Sequence, residues 1–163
     1  MTKVYNVLFV CTGNSARSIL AEALLNDAGR GRFRAWSAGS QPTGVVNPKA
    51  LETLRILGVP ATGARSKSWD EFAAAGSPAM DFVITVCDKA AGEACPVYFG
   101  PALKAHWGLE DPSDITGDEA RIAAAFHSTL ARIETRCRAF LELPFAQLDR
   151  DALKRELERI GTL

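Results

Sequence analysis

Residues 4–28, VYNVLFVCTGNSARSILAEALLNDA, place a short polar loop between an apolar run and a helix. The loop begins at Cys11 and ends at Arg17 and Ser18. This spacing lets a backbone curl around one tetrahedral oxyanion with its N–H groups pointing inward. A thiol at the mouth of such a loop, beside a guanidinium and a helix N-terminus, is favoured as the nucleophilic thiolate. The stretch therefore predicts attack by sulfur on the central atom of a phosphate-like anion.

Each residue of the loop can be given a part in holding that anion. Arg17 can bind two oxygens at once, as lysine cannot, and the Ser18 hydroxyl can donate to the Cys11 sulfur. Gly13 is expected to adopt backbone angles that a side chain forbids, and Asn14 to tolerate left-handed geometry. The alternative is that Cys11 is a buried core cysteine at the end of a strand. The expected oxyanion-binding loop is Thr12, Gly13, Asn14, Ser15, Ala16 and Arg17.

The composition is that of an ordinary globular protein. The 163 residues suit one domain with a single core, and 47% of them are hydrophobic and 23% charged. The formal net charge is zero, which gives no electrostatic reason to expect nucleic acid or a membrane as a partner. The four cysteines, in a chain without a signal-peptide pattern, favour reduced thiols in the cytoplasm over a disulfide framework.

Apolar runs alternate with helical patterns along the chain. This alternation predicts a single α/β domain with a central parallel, twisted sheet of about four strands and helices on both faces. Pro144 is the one seam, so residues 1–143 are expected to form the domain and residues 144–163 an amphipathic helix packed on it or extending it. The predicted strands are 5–10, 35–37, 82–86 and 105–107, and the predicted helices are 18–28, 48–57, 68–72, 118–141 and 148–160.

Three chemically active residues follow predicted strands. Ligands of such sheets bind beyond the carboxyl ends of the strands, so Cys11, Cys87 and Asp111 are expected to share one crevice. Asp111 precedes Pro112 and offers a carboxylic acid on a constrained loop, although Asp-Pro is also a common structural turn. Cys87 and Cys95 enclose a Gly- and Ala-rich stretch. Their spacing suits neither a tight redox turn nor a zinc site, and they are either incidental or a thiol relay.

Several motifs in order carry a resemblance to a known family. They are CTGNSARS at 11–18, SAGS at 37–40, GVVNPKALETL at 44–54, ITVCDKAAGEACP at 84–96 and HWGLEDP at 106–112. Together they cover about residues 4–143, and they resemble the low-molecular-weight protein tyrosine phosphatase superfamily. Within it the resemblance is greatest to the arsenate reductases of that fold, of the thioredoxin-coupled type.

The resemblance implies reduction of arsenate to arsenite, for arsenic detoxification, by three cysteines acting in sequence. Cys11 attacks arsenate, Cys87 resolves the thiol-bound arsenic as the first resolving thiol, and Cys95 follows as the second. Asp111 protonates the departing oxygen. The resemblance implies no bound metal or cofactor, an external thiol donor (thioredoxin, or glutathione with glutaredoxin) and phosphate or sulfate as substrate analogues. A monomer or weak dimer is expected.

Departures from the family pattern separate the rival functions. Ser113 and Asp114 follow Asp-Pro where the phosphatases usually carry aromatic residues, which weakens the case for a phosphotyrosine substrate. Ala16 stands where many members carry a second loop cysteine, so Cys11 depends on Cys87 and Cys95 for resolution. The main alternative is a phosphatase that hydrolyses phosphate monoesters through a cysteinyl-phosphate. A non-catalytic oxyanion-binding module is the third reading.

Some thioredoxin-coupled relatives bind potassium near this loop. Asn14, Glu22 and Ser37 match three of their ligands, but Lys67 stands at the position of the fourth, an aspartate. The hypothesis that follows is that the Lys67 ammonium takes the place of the cation and supports the loop.

Overall fold

Four parallel strands form one sheet within residues 3–74, 76–87 and 101–163, the part of the chain that the computed structural model describes. Their spatial order is β2-β1-β3-β4, so β1 and β3 are the interior strands. The predicted α/β class with a parallel sheet of about four strands is confirmed. The strands are β1 (Tyr5–Cys11), β2 (Phe33–Gly39), β3 (Phe82–Thr85) and β4 (Leu103–His106).

The two edge strands differ from the predicted limits. β2 begins at Phe33, two residues earlier than predicted. Its second residue, Arg34, is exposed between buried neighbours, which is the pattern of a strand with one covered face. β4 begins at Leu103, also two residues earlier than predicted, and half-buried Lys104 lies between buried neighbours. Reading only continuous apolar runs places the limits of such strands wrongly, whereas it finds the start of the interior strands β1 and β3.

Four α-helices occur in the described part of the chain. Asn47, Asp118 and Asp149 each cap a helix by accepting a hydrogen bond from a backbone N–H of its first turn. The first helix has no side-chain cap, because Ala16 stands at that position. Its N-terminus follows the polar loop, where an anion can serve as the cap. The helices are α1 (Arg17–Ala28), α2 (Pro48–Ile56), α3 (Glu119–Leu141) and α4 (Arg150–Ile160).

The core fixes the carboxyl ends of β1 and β3. Residues 7–10 of β1 are almost completely buried, as expected for an interior parallel strand. The rings of Phe33 and Phe82 each lie about 5 Å from Phe140, which joins β2 and β3 to α3. α4 packs against β4 and buries Leu157 and Ile160. The loops that follow the strands are therefore carried on a rigid base.

Candidate active site

Cys11 is the last residue of β1, and its sulfur lies inside the polar loop. The backbone N–H of Asn14 donates to Cys11 Sγ at 3.2 Å, and Ser18 Oγ lies 3.0 Å from the same sulfur. The side-chain amide of Asn14 donates to Ser18 Oγ at 2.8 Å. This bond leaves the hydroxyl hydrogen of Ser18 free to point at the sulfur. Both contacts place hydrogen-bond donors on Cys11 Sγ, inside the loop that would hold the anion.

The shape of the loop depends on Asn14 rather than on Gly13. Asn14 has a φ of 46°, in the left-handed region, as predicted for it. Gly13 is not in that region, so the prediction of special backbone angles there is wrong. A side chain at Gly13 would instead lie 3.3 Å from the Thr43 methyl group. The close approach is tighter at Gly39, where a Cβ would lie 2.5 Å from the Thr12 carbonyl oxygen.

Arg17 connects the loop to the segment that follows β4. Its Nη1 donates to the Leu109 carbonyl at 2.8 Å, and its Nη2 lies 3.3 Å from Asp111 Oδ2. The other oxygen of Asp111 accepts from the backbone N–H and the hydroxyl of Ser113. Asp111 thus caps the short 3-10 helix Pro112–Asp114 with one oxygen and directs the other at Arg17.

Cys87 lies beside the loop, two residues after the end of β3. Its sulfur accepts from the Thr12 backbone N–H at 3.3 Å and lies 3.5 Å from the Thr12 hydroxyl. Since Thr12 adjoins Cys11, the second thiol reaches the edge of the nucleophile's loop. The expected crevice therefore brings together Cys11, Cys87 and Asp111. Cys95 lies outside the described residues.

A buried charged pair supports the loop from behind. Lys67 Nζ lies 4.0 Å from Glu22 Oε1 and donates to the Arg65 carbonyl at 3.2 Å. Burial raises the pKa of Glu22 and lowers the pKa of Lys67, and the charge of each partly offsets the shift of the other. The Lys67 backbone N–H donates to Asn14 Oδ1 at 2.8 Å, and Ser37 is fully buried nearby on β2. Asn14, Glu22, Ser37 and Lys67, the four residues predicted as loop support, therefore lie in one cluster.

Cys137 is chemically separate from the other described cysteines. It lies in α3 and is 2% exposed. Burial, with a smaller effect of the Glu134 charge, raises the pKa of its thiol to about 12. Such a thiol stays protonated and unreactive at neutral pH.

Two partners of the site carried no signal in the sequence. The Leu109 carbonyl binds Arg17, yet a backbone acceptor leaves no trace in residue type. Thr12 was expected in the loop, but its contact with Cys87 depends on the parallel pairing of β1 with β3. No group of three or more His, Cys, Asp or Glu side chains that could hold a metal ion occurs among residues 3–74, 76–87 and 101–163. No helix in these ranges is long and apolar enough to cross a membrane.

Comparisons with known proteins agree with this geometry. The family model described as low molecular weight phosphotyrosine protein phosphatase matches residues 6–156. The arsenate reductase of Bacillus subtilis (strain 168) is 30% identical over 136 residues, 83% of this chain and 94% of that protein. A solved arsenate reductase in its phosphate-binding state has a TM-score of 0.69 at 25% identity, over 84% of this chain and 96% of that chain.

A thioredoxin-dependent arsenate reductase of Corynebacterium glutamicum is also similar. Its TM-score is 0.56 at 30% identity, and the likeness covers 80% of this chain and 58% of that chain. The span that the family model matches includes the Cys11 loop, Cys87 and Asp111.

Proposed function

Since this chain belongs to the low molecular weight phosphotyrosine protein phosphatase family, we propose that it reduces arsenate to arsenite through a cysteine thiolate and an intramolecular disulfide relay. The resemblance predicted from the sequence is confirmed by this membership and by relatives named arsenate reductase. The observation that carries the proposal is the position of Cys87, whose sulfur contacts Thr12 next to the nucleophile. Hydrolysis of a phosphate ester has no use for a second thiol there.

The first step is attack by Cys11 on bound arsenate. Arg17 holds two oxygens of the anion. The N–H of Asn14 and the hydroxyl of Ser18 hold the Cys11 sulfur inside the loop. An S–As bond forms and an As–O bond breaks. Asp111 gives a proton to the departing hydroxyl group of arsenate, so that this group leaves as water. Asp111 Oδ2 already lies beside Arg17, where the bound anion would sit.

The second step is attack by the Cys87 thiolate on Cys11 Sγ. An S–S bond forms and the S–As bond breaks with its electron pair staying on arsenic, which leaves as arsenite. Two thiols are oxidised and arsenic is reduced by two electrons, so the step balances. The Thr12 N–H donates to Cys87 Sγ and holds it beside the nucleophile's loop. Cys95 then attacks Cys87, a role that rests on the family resemblance alone.

An external thiol must return the relay to its reduced state. We take thioredoxin as the donor, because three cysteines in sequence would end in an intramolecular disulfide that a dithiol can reduce. The thioredoxin-dependent protein of Corynebacterium glutamicum supports this choice. Glutathione with glutaredoxin is the competing donor. A reducing compartment, the cytoplasm, suits either one.

Slow hydrolysis of phosphate esters is expected as a side activity. The loop, Arg17 and Asp111 are the parts that a phosphatase of this fold would need, and phosphate resembles arsenate in size and charge. The exposed polar residues Ser113 and Asp114 follow Asp111 and Pro112, where an aromatic substrate would require apolar walls. A dedicated phosphotyrosine phosphatase is therefore the weaker candidate.

The test is arsenite production by Cys87→Ser, with thioredoxin, its reductase and NADPH. We expect the variant to lose arsenate turnover and keep slow hydrolysis of p-nitrophenyl phosphate, because Cys11, Arg17 and Asp111 are untouched. Cys137→Ser is the matched control and should reduce arsenate like the wild type. Normal arsenate reduction by Cys87→Ser would contradict the proposed function.

A further inference from the structure

Arg136 is a buried cation in the C-terminal part of α3, 1% exposed. Burying a charge is costly unless hydrogen bonds replace its water. Nη1 donates to the carbonyls of Trp107 at 2.8 Å and Gly108 at 3.1 Å, and Nη2 donates to that of Gly161 at 3.0 Å. Nε donates to the Leu163 carbonyl at 3.2 Å. The guanidinium therefore joins two backbone segments that are distant in sequence.

One of these segments leads directly to the proposed acid. After β4, the backbone N–H groups of Trp107 and Leu109 donate to β3 and to Val86 at 2.7 and 3.1 Å. These bonds hold the segment against β3 and the residue that follows it. Arg136 binds the carbonyls of Trp107 and Gly108, so it holds the same segment from α3. The next carbonyl, that of Leu109, is left for Arg17.

The other segment is the end of α4 together with the residues that follow it, up to Leu163. The Trp107 indole N–H donates to the Leu157 carbonyl at 2.9 Å. At Gly161 a Cβ would lie 2.4 Å from the His106 carbonyl oxygen and 3.0 Å from Trp107 Cδ1, so the backbones are in direct contact. Arg136 lies between these two segments and bonds to both of them.

We propose that Arg136 is a positioning residue, which holds residues 107–111 so that the Leu109 carbonyl and Asp111 both meet Arg17. It acts through the carbonyls of Trp107 and Gly108 and touches no substrate. The proposal rests on the role of Asp111 as general acid in the proposed function. Without Arg136 the carbonyls of Trp107 and Gly108 would lose their bonds to α3, and both the acid and the guanidinium of Arg17 would shift relative to the anion. Catalysis is sensitive to such shifts.

The test compares two phosphate esters that differ in their need for an acid. Phenyl phosphate has a poor leaving group, so its hydrolysis depends on proton donation by Asp111. The p-nitrophenolate ion leaves p-nitrophenyl phosphate with little protonation. We expect Arg136→Met to lower kcat/KM for phenyl phosphate about tenfold more than for p-nitrophenyl phosphate. A change in the amount of folded protein would lower both values equally and leave their ratio unchanged.

Arg132→Met is the matched control, one turn earlier on the same helix. Arg132 also donates to the Leu163 carbonyl, at 3.1 Å, but it does not bond to residues 107 and 108. The ratio of the two esters should stay at the wild-type value in this variant. Arg136→Lys keeps the charge and loses the planar fork, and it should shift the ratio in the same direction as Arg136→Met.

An unchanged ratio in folded Arg136→Met would overturn the positioning role. Loss of the fold in both Arg136 variants would also overturn it, since the residue would then serve the core. If the wild type hydrolyses neither ester, Asp111 is not a working acid and the role fails with it. None of these results depends on arsenate. Absence of arsenite production by the wild type would contradict the proposed function and leave the ester ratio intact.

Discussion

Two buried cysteines of this chain differ in what surrounds their sulfur atoms. Cys11 Sγ is in contact with the Ser18 hydroxyl and receives the Asn14 N–H. Cys137 is buried to the same degree, but burial and the Glu134 charge raise the pKa of its thiol to about 12. The two thiols are therefore buried alike but differ in their surroundings.

Cys137 gives a prediction about alkaline stability. The thiol of the folded protein stays protonated to about pH 12, whereas an unfolded thiol ionises near pH 8.5. Between these two pH values, unfolding releases the thiol proton. The free energy of unfolding therefore falls as the pH rises. From pH 8.5 to 10 the loss is about 1.6 kcal/mol. Cys137→Ala should show a shallower fall in the free energy of unfolding, measured by urea titration under reducing conditions. Parallel profiles for the variant and the wild type would refute the assignment.

At the scale of elements, the loop is held by a backbone segment that is not itself a strand. The Lys67 N–H donates to the Asn14 side chain, and its carbonyl accepts from the Gly39 N–H at 2.9 Å. Ser68 forms an isolated parallel bridge with Gly39 at the end of β2. The loop, β2 and this segment thus meet around the buried Lys67–Glu22 pair.

Lys67 gives a prediction about cations. If its ammonium takes the place of potassium, the melting temperature of the wild type should be the same in potassium and sodium chloride. Lys67→Asp restores the acidic residue of the potassium-binding relatives and should be stabilised by potassium over sodium. Lys67→Met removes the charge without supplying a ligand and should be destabilised in both salts, because Glu22 is left buried without its partner. Stabilisation of the wild type by potassium would refute the hypothesis.

For the whole molecule, much of the fold and of the site could be predicted from residue type and order. The apolar run of β1 and the Asn47-Pro48 helix start are local signals, and the structure has both. The role of Arg136 was not visible, because its partners are carbonyls of residues far along the chain. From its residue type alone, Arg136 would be expected on the surface of a long helix. The packing of α4 is what buries it. Contacts through backbone atoms are what the sequence alone does not specify.

Residues 144–163 were expected to form an amphipathic helix that packs on the domain or extends it. α4 lies against β4, and Trp107, which precedes the proposed acid, donates to it. We therefore propose that this helix both extends the domain and supports the segment that carries Asp111.

The measurement that tests the relay most directly is one turnover of arsenate by Cys95→Ser without an external thiol. We expect about one arsenite per chain and a disulfide between the peptides that contain Cys11 and Cys87, identified by mass spectrometry. Arsenite release without that disulfide would refute the relay. So would a variant that hydrolyses phosphate esters and forms no arsenite.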